Sequence, residues 1–318
     1  MDTTLIETVS GRHNPMIDPH MHIWGWEIPV YLFLGGLVAG IMVLVPLLEL
    51  RTNERSKGLQ HAPLVAAGLL SLGMLSLLLD LEYPAHVYRF YTTFQPTSPM
   101  SWGSWVLMLV YPALILSWLG GLTQETRDRL GRLPGSGLVQ WALEFATIHR
   151  TGILWLTIVL GVALGTYTGL LLGTMEARLQ WHTATLGPLF LTSGISTGAA
   201  FLMLMPAEED RLNRLVRWDS IAIVVELGLI GAMLLGFATG GTTGLIAVKT
   251  VMGGEWTPWF WSLVVVAGLA VPLALNLTEI RQHVHMTLFS PLLVLGGGFA
   301  LRWILVMAGQ QTSFALLQ

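Results

Sequence analysis

Eight stretches of about 20 mostly apolar residues constrain this chain more than any other feature of its sequence. They cover residues 27–49, 63–81, 102–122, 150–173, 184–205, 219–239, 257–277 and 287–308. A stretch of this length crosses the hydrocarbon core of a bilayer as one helix. Charged residues make up only 11% of the chain, where soluble domains carry roughly 25%. The sequence therefore predicts an all-α polytopic membrane protein with eight transmembrane helices.

The remaining segments are too short to form an independent soluble domain. We divide the chain into an N-terminal segment (1–26), a transmembrane domain (27–308) and a C-terminal tail (309–318). Residues 1–26 are polar and lack a charged start followed by a short apolar run and a small-residue cleavage site. We therefore expect no cleaved signal peptide.

Two pairs of weakly similar segments suggest that the chain contains an internal repeat. The sequence LFLGGLVAG at 32–40 resembles LFLTSGISTG at 189–198, and the starts of the third and seventh stretches, at 97–102 and 257–261, also resemble each other. Two parallel four-helix bundles, 27–173 and 184–308, would produce these pairings, although such similarities also arise by chance in Gly-rich apolar sequence.

The distribution of Lys and Arg predicts the orientation of the chain. The loops after the first, third, fifth and seventh stretches hold eleven of these residues, and the opposite face holds four. Cytoplasmic loops carry the excess of Lys and Arg. Both termini are therefore expected on the outer, periplasmic side.

The residue types exclude several redox centres. The chain has no cysteine, so it cannot hold a thiolate-ligated iron–sulfur cluster. Its nine histidines all lie in loops or at the ends of the apolar stretches, whereas a membrane b-type haem needs axial histidines buried in the helices. His283 and His285 lack a third ligand nearby in sequence, so we expect no metal site and no haem.

Ionisable and phenolic residues inside or at the ends of the spans are the candidates for function, because such groups are costly in lipid. Most of them are predicted near the outer face, where they could bind a lipid-soluble ligand with polar oxygens, such as a quinone, and handle its protons. We assign quinone contacts to Tyr31, Glu82, Trp102 and Tyr167, and proton transfer to Asp80, Glu82, Glu226, Glu255 and Arg302. The competing interpretation is that Trp and Tyr are interfacial anchors and that terminal carboxylates are solvated or paired.

Glu82, Tyr167 and Glu226 differ from the other candidates in their expected position in the membrane. Glu82 and Tyr167 are expected to lie deep enough to make simple solvation unfavourable. Glu226 is near the cytoplasmic end of the sixth stretch, and either a proton path or a polar helix contact would explain it.

Segments spread over the whole chain resemble the NrfD/PsrC family of quinone-reactive membrane subunits. The matching segments are 24–36, 80–84, 96–103, 149–150, 165–169, 191–200, 301–302 and 308–310. Within them, Glu82 matches the acidic residue that ends the second helix of the family, and Tyr167 matches its fourth-helix tyrosine. Tyr31 stands where polysulfide reductase has a histidine, and a phenol can donate the same hydrogen bond.

The resemblance implies a haem-free, eight-helix subunit of a respiratory oxidoreductase in the bacterial inner (cytoplasmic) membrane. Such subunits bind menaquinone or another quinone near the outer face. They exchange electrons with a ferredoxin-like subunit that carries four-iron clusters and docks on that face, and this subunit often serves a molybdopterin or multihaem catalytic subunit. The lipid bilayer surrounds the chain, and no nucleic acid partner is expected.

Two other functional classes stay open at this point. A secondary transporter would also have paired bundles and intramembrane carboxylates, but with broken helices and polar groups around a central cavity. A structural anchor would need no deep Glu82 or Tyr167.

Overall fold

The computed structural model describes residues 24–52, 58–131, 137–175, 178–282 and 288–312, and within these ranges all regular secondary structure is helical. The helices are α1 (Glu27–Thr52), α2 (Ala62–Leu79), a 3₁₀ turn (Pro84–His86), α3 (Arg89–Thr92), α4 (Pro99–Gly121), α5 (Gln124–Gly131), α6 (Gly137–Ile148), α7 (Arg150–Gly173), α8 (Leu186–Met203), α9 (Glu209–Thr239), α10 (Gly241–Val251), α11 (Thr257–Trp259), a π-helical segment (Phe260–Ala270), α12 (Val271–Gln282) and α13 (Phe289–Gln311).

Eight helices in the described ranges are long and apolar enough to cross a membrane, as predicted. They are α1, α2, α4, α7, α8, α9, the continuous segment Thr257–Arg281 and α13. Proline occupies the first turn of α2 and of α4, where its missing N–H removes no helical hydrogen bond. The chain is thus a multi-pass membrane protein.

The helix boundaries differ from the predicted spans by a few residues at most ends and by about ten at the start of α9. Helix α9 begins at Glu209, before the predicted start at residue 219, because its first turns are polar yet still helical. Helix α13 continues to Gln311, so most of the described part of the predicted tail belongs to the last helix. Residues 1–23 and 313–318 lie outside the described residues.

Helices α1 and α8 form the centre of the bundle, and glycines let their backbones touch. Gly36 and Gly40 of α1 meet Gly194 and Gly198 of α8, and a Cβ on Gly40 would overlap the Gly194 carbonyl oxygen. Close approach of small residues is the usual basis of helix association in lipid. Because both pairs advance by four residues in the same direction, the two helices run parallel. The similar segments 32–40 and 189–198 meet at this contact.

The two ends of the described chain lie together at one face of the bundle, which we call the termini face. The Trp24 backbone N–H donates to Gln310 Oε1 over 2.7 Å, and Gln310 Nε2 donates back to the Trp24 carbonyl over 3.1 Å. An even number of spans places both termini on the same side of the membrane. That the termini face is the outer side stays a prediction, as does the division into two halves.

Candidate functional site

A cavity opens at the termini face among α1, α2, α4 and α7. Its volume is about 990 Å³ when the part open to the exterior is included. Most of its wall is aliphatic, from residues such as Leu77, Leu107 and Leu171. The connection between α2 and α4 covers one side with Val87 and Phe90, and we call residues 81–98 the lid.

Three phenols face this cavity. Tyr31 of α1 and Tyr167 of α7 are 3% and 9% exposed, and Tyr91 reaches it from the lid. Within the described part of the chain, no hydrogen bond joins the hydroxyl of Tyr31 or Tyr167 to another residue. Neither hydroxyl is fully enclosed by protein atoms, so both are accessible from the cavity and available to a bound molecule.

The sequence gives no sign of Tyr91, because this residue lies outside every apolar stretch and no local pattern distinguishes it from an ordinary loop tyrosine. Burial, and to a smaller extent the neighbouring Tyr111, raises the pKa of Tyr91 above the ordinary value of a tyrosine. Tyr91 therefore stays a protonated hydrogen-bond donor at physiological pH.

Glycines of neighbouring helices lie next to the rings of the two buried phenols. The ring of Tyr167 lies where a Cβ of Gly103 would be, and Cδ2 of Tyr31 is 3.7 Å from the position that a Cβ of Gly73 would take. Tyr167 therefore packs directly on the backbone of α4, and its position depends on α4 as well as on α7, whereas Tyr31 approaches α2 only at ordinary van der Waals distance.

The first turns of α4 also hold the lid. Ser104 Oγ donates to the Phe90 carbonyl over 2.7 Å, and Ser101 Oγ accepts from the Gln95 backbone N–H over 3.0 Å. These bonds fix the backbone on both sides of Tyr91.

The carboxylates expected at the end of the second span occupy different places. Asp80, which caps α2, lines the cavity. Glu82 is exposed and lines an adjoining open cavity, separated from the first by the shared wall residues Leu81, Phe90 and Met100. Helix α2 ends at Leu79, so Glu82 lies in the lid, and the expectation that its depth shields it from solvent is wrong.

Trp102 and Glu255 lie away from the cavity. Trp102 is 56% exposed and donates from Nε1 to the Pro96 carbonyl over 2.7 Å, since the face of α4 that lines the cavity carries Gly103 and Leu107 instead. Glu255 is exposed in the turn before α11 and lines neither cavity. Trp102 and Glu255 therefore do not meet Tyr31 and Tyr167 at this cavity.

Arg302 is fully buried at the centre of the bundle, where it joins three helices. Its guanidinium donates to the Leu32 carbonyl of α1, to the Phe190 carbonyl and Ser193 Oγ of α8, and to the Gly298 carbonyl of its own helix, over 2.9 to 3.2 Å. Gly36 provides the space for it. The charge of Glu226 interacts with Arg302, and Ser193 contacts both.

A second buried carboxylate, Asp219, continues this polar region on α9. It accepts from Ser196 Oγ over 2.6 Å and from Asn276 Nδ2 over 2.7 Å, while Ser290 Oγ donates to Asn276 Oδ1 over 2.7 Å. Asp219 and Glu226 are seven residues apart, two turns on one helix face. Asp219 is not among the predicted site residues, because it stands at the very start of the predicted sixth stretch, where a carboxylate is ordinarily solvated.

The opposite end of the bundle carries an ion pair between α1 and α7. Arg150 donates to Glu49 from Nε, over 2.9 Å to Oε1, and from Nη2 to Oε2, while its Nη1 donates to the Ser117 carbonyl over 2.7 Å. This contact gives the segment 149–150 a structural explanation.

In the ranges that the structure describes, no three His, Cys, Asp or Glu side chains form a group that could hold a metal ion. His283 and His285 lie outside the described residues.

The comparison with protein families agrees with the architecture of the bundle. The model of the family described as "Polysulphide reductase, NrfD" matches residues 13–315. The chain belongs to the NrfD family.

Its relatives include subunits of several reductases. Protein NrfD of Escherichia coli (strain K12) is 33% identical over 306 residues, which is 91% of this chain and 96% of the relative. A polysulfide reductase chain of Wolinella succinogenes is 29% identical over 303 residues, 91% of this chain and 94% of the relative. A putative dimethyl sulfoxide reductase membrane subunit of Halobacterium salinarum is 29% identical over 197 residues, 60% of this chain and 44% of the relative.

Proposed function

We propose that this chain is the quinone-reactive membrane subunit of a respiratory oxidoreductase complex in the bacterial inner membrane. It binds menaquinone or another quinone in the phenol-lined cavity and exchanges electrons with a partner iron–sulfur subunit. The observation that carries this proposal is the pair of buried phenols, Tyr31 and Tyr167, whose hydroxyls face the cavity without a partner in the described chain.

The cavity suits a quinone in its chemistry. Its aliphatic wall fits an apolar ring and tail, and the phenols offer donors to ring oxygens. The quinone itself supplies the redox chemistry, since its quinol form gives up two electrons and two protons. Tyr31, Tyr91 and Tyr167 would hold and orient the ring oxygens.

The carboxylates next to the cavity would exchange protons with the exterior. Asp80 lines the cavity and is the carboxylate best placed to accept a proton from a bound hydroxyl. Glu82 would pass it on, because its adjoining cavity is open. Trp102 and Glu255 have no part in this route, since both lie away from the cavity.

Arg302 and Glu226, which lie in the bundle interior away from the cavity, are proposed to have different roles. We assign to Arg302 a fixed positive charge rather than a proton-transfer role, because a guanidinium does not lose its proton in proteins and its donors are occupied by four acceptors. Glu226, buried beside it, stays the proposed proton-holding group of the bundle interior.

The relatives and the absence of cysteine in this chain support the proposed partners. Electrons must leave through another subunit, for which we propose a ferredoxin-like subunit with four-iron clusters docked on the termini face, near the lid. We propose that it serves a molybdopterin or multihaem catalytic subunit, as the reductase names of the relatives suggest.

Binding of menadione to the purified full-length protein tests the site directly. Trp24 lies in the cavity wall, so quenching of tryptophan fluorescence reports binding. Replacing both Tyr31 and Tyr167 by Phe should weaken binding about 30-fold, because each lost hydrogen bond costs about 1 kcal/mol. The matched control is Tyr88→Phe, an exposed lid phenol that lines neither cavity, and it should bind as the unaltered protein does.

The same preparation distinguishes the rival functions. Quinol-dependent reduction of a co-purified iron–sulfur subunit, followed by EPR, supports the proposal. Unchanged binding and turnover in the double variant would contradict the assignment of the site and favour a structural anchor. Solute flux into vesicles that contain this protein alone would favour a transporter.

A further inference from the structure

Gly103, on the second turn of α4, occupies an unusual position beside the cavity. It lines the cavity, and a Cβ at this position would overlap Cζ, Cε1 and the hydroxyl oxygen of Tyr167. Folded proteins do not contain contacts this short. No residue with a side chain therefore fits at position 103 while Tyr167 keeps its place.

Other glycines in the bundle have different surroundings. Gly40 and Gly198 meet backbone atoms of the facing helix, and Gly68 has open space around it. The first two allow helices to approach, and the third has no steric reason to be glycine. Gly103 instead meets the polar end of a side chain that faces the cavity.

We propose that Gly103 is a positioning residue of the ligand site: the space left by its missing side chain determines where Tyr167 presents its hydroxyl. The inference rests on the proposed function, since it takes a quinone as the ligand. A methyl group at position 103 would displace the ring of Tyr167 toward the free space of the cavity, because α4 and α7 pack directly against each other. The hydroxyl would then lie at the wrong distance from a bound ring oxygen, and the cavity would be smaller.

A double-mutant cycle separates this role from ordinary helix packing. The four proteins are the unaltered protein, Gly103→Ala, Tyr167→Ala and the combination of both, and the measurement is the menadione dissociation constant. Gly103→Ala alone should weaken binding by at least about tenfold, whereas in the Tyr167→Ala background the same change should alter binding less than about twofold. The matched control is Gly68→Ala, an alanine placed in open space on α2, which should bind as the unaltered protein does.

Three results would overturn the inference. Equal losses from Gly103→Ala in both backgrounds would mean that Gly103 acts independently of Tyr167, and unchanged binding in Gly103→Ala would mean that the overlap has no consequence. If Gly103→Ala does not fold, the combination with Tyr167→Ala should fold as well as Tyr167→Ala alone, and its failure to do so also overturns the inference.

The proposed function fails by a different outcome. If the unaltered protein does not bind menadione, the assignment of a quinone site is wrong, and this inference falls with it. An additive cycle, in a protein that does bind menadione when unaltered, rejects the role of Gly103 alone.

Discussion

In the cavity among α1, α2, α4 and α7, two phenol hydroxyls face open space, whereas at the contact of α1, α8, α9, α12 and α13 the polar groups are bonded to one another. Tyr31 and Tyr167 exemplify the first arrangement, and Arg302 and Asp219 exemplify the second. A buried polar group without a partner costs free energy. Hydroxyls that have no hydrogen-bond partner in the protein and lie beside a cavity therefore indicate ligand binding. Polar groups whose hydrogen bonds are all made within the protein hold helices together.

The largest expected effect comes from breaking the saturated network. Arg302→Leu should lower the free energy of unfolding by about 3 kcal/mol or more, because it leaves the Glu226 charge uncompensated and several buried acceptors without a donor. Thermal unfolding of the detergent-solubilised protein measures this loss. Arg129→Leu, which breaks an exposed pair with Glu125 on α5, serves as the control and should change stability little. A stable Arg302→Leu protein would show that the network does not hold the bundle together.

Two carboxylates that are close in sequence should differ in their effect on turnover. Asp80→Asn should lower quinol oxidation by the intact complex about a hundredfold, because Asp80 lines the cavity and is placed to accept the proton. Glu82→Gln should reduce it less than about tenfold, since water in the open adjoining cavity can replace that side chain. Menadione binding to each variant, measured separately, shows whether the substituted side chain acts on binding or on proton transfer. A larger loss for Glu82→Gln would reverse the order of the proposed route.

The smallest expected effect concerns the lid. Ser104→Ala removes the bond that holds the Phe90 carbonyl, so Tyr91 should be positioned less well and menadione should bind about fivefold more weakly, as expected for one hydrogen bond of about 1 kcal/mol. Ser262→Ala is the control, because that hydroxyl bonds only within its own turn, to the Pro258 carbonyl. Equal binding in the two variants would mean that the lid is held without Ser104.

The sequence could predict the eight spans because a long apolar stretch has few alternatives in a membrane. It also led to Tyr31, Asp80 and Tyr167, since ionisable and phenolic residues near lipid are rare enough to stand out. It misjudged Glu82 and Trp102, because the last turn of α2 and the rotation of α4 depend on packing and not on local pattern. Tyr91 left no signal at all, since its position depends on how the lid folds back over the cavity.

By itself, the sequence determined the class of the protein, the number of its spans and the absence of thiolate-bound clusters, because these depend on residue type and on the length of apolar stretches. Only the tertiary structure decided which polar residues meet. The ring of Tyr167 on α7 lies against Gly103 on α4. Arg302 donates to acceptors that are more than a hundred residues away in sequence. Such contacts depend on the rotation and depth of each helix against its neighbours, which the hydrophobic pattern of a single helix in lipid leaves undetermined.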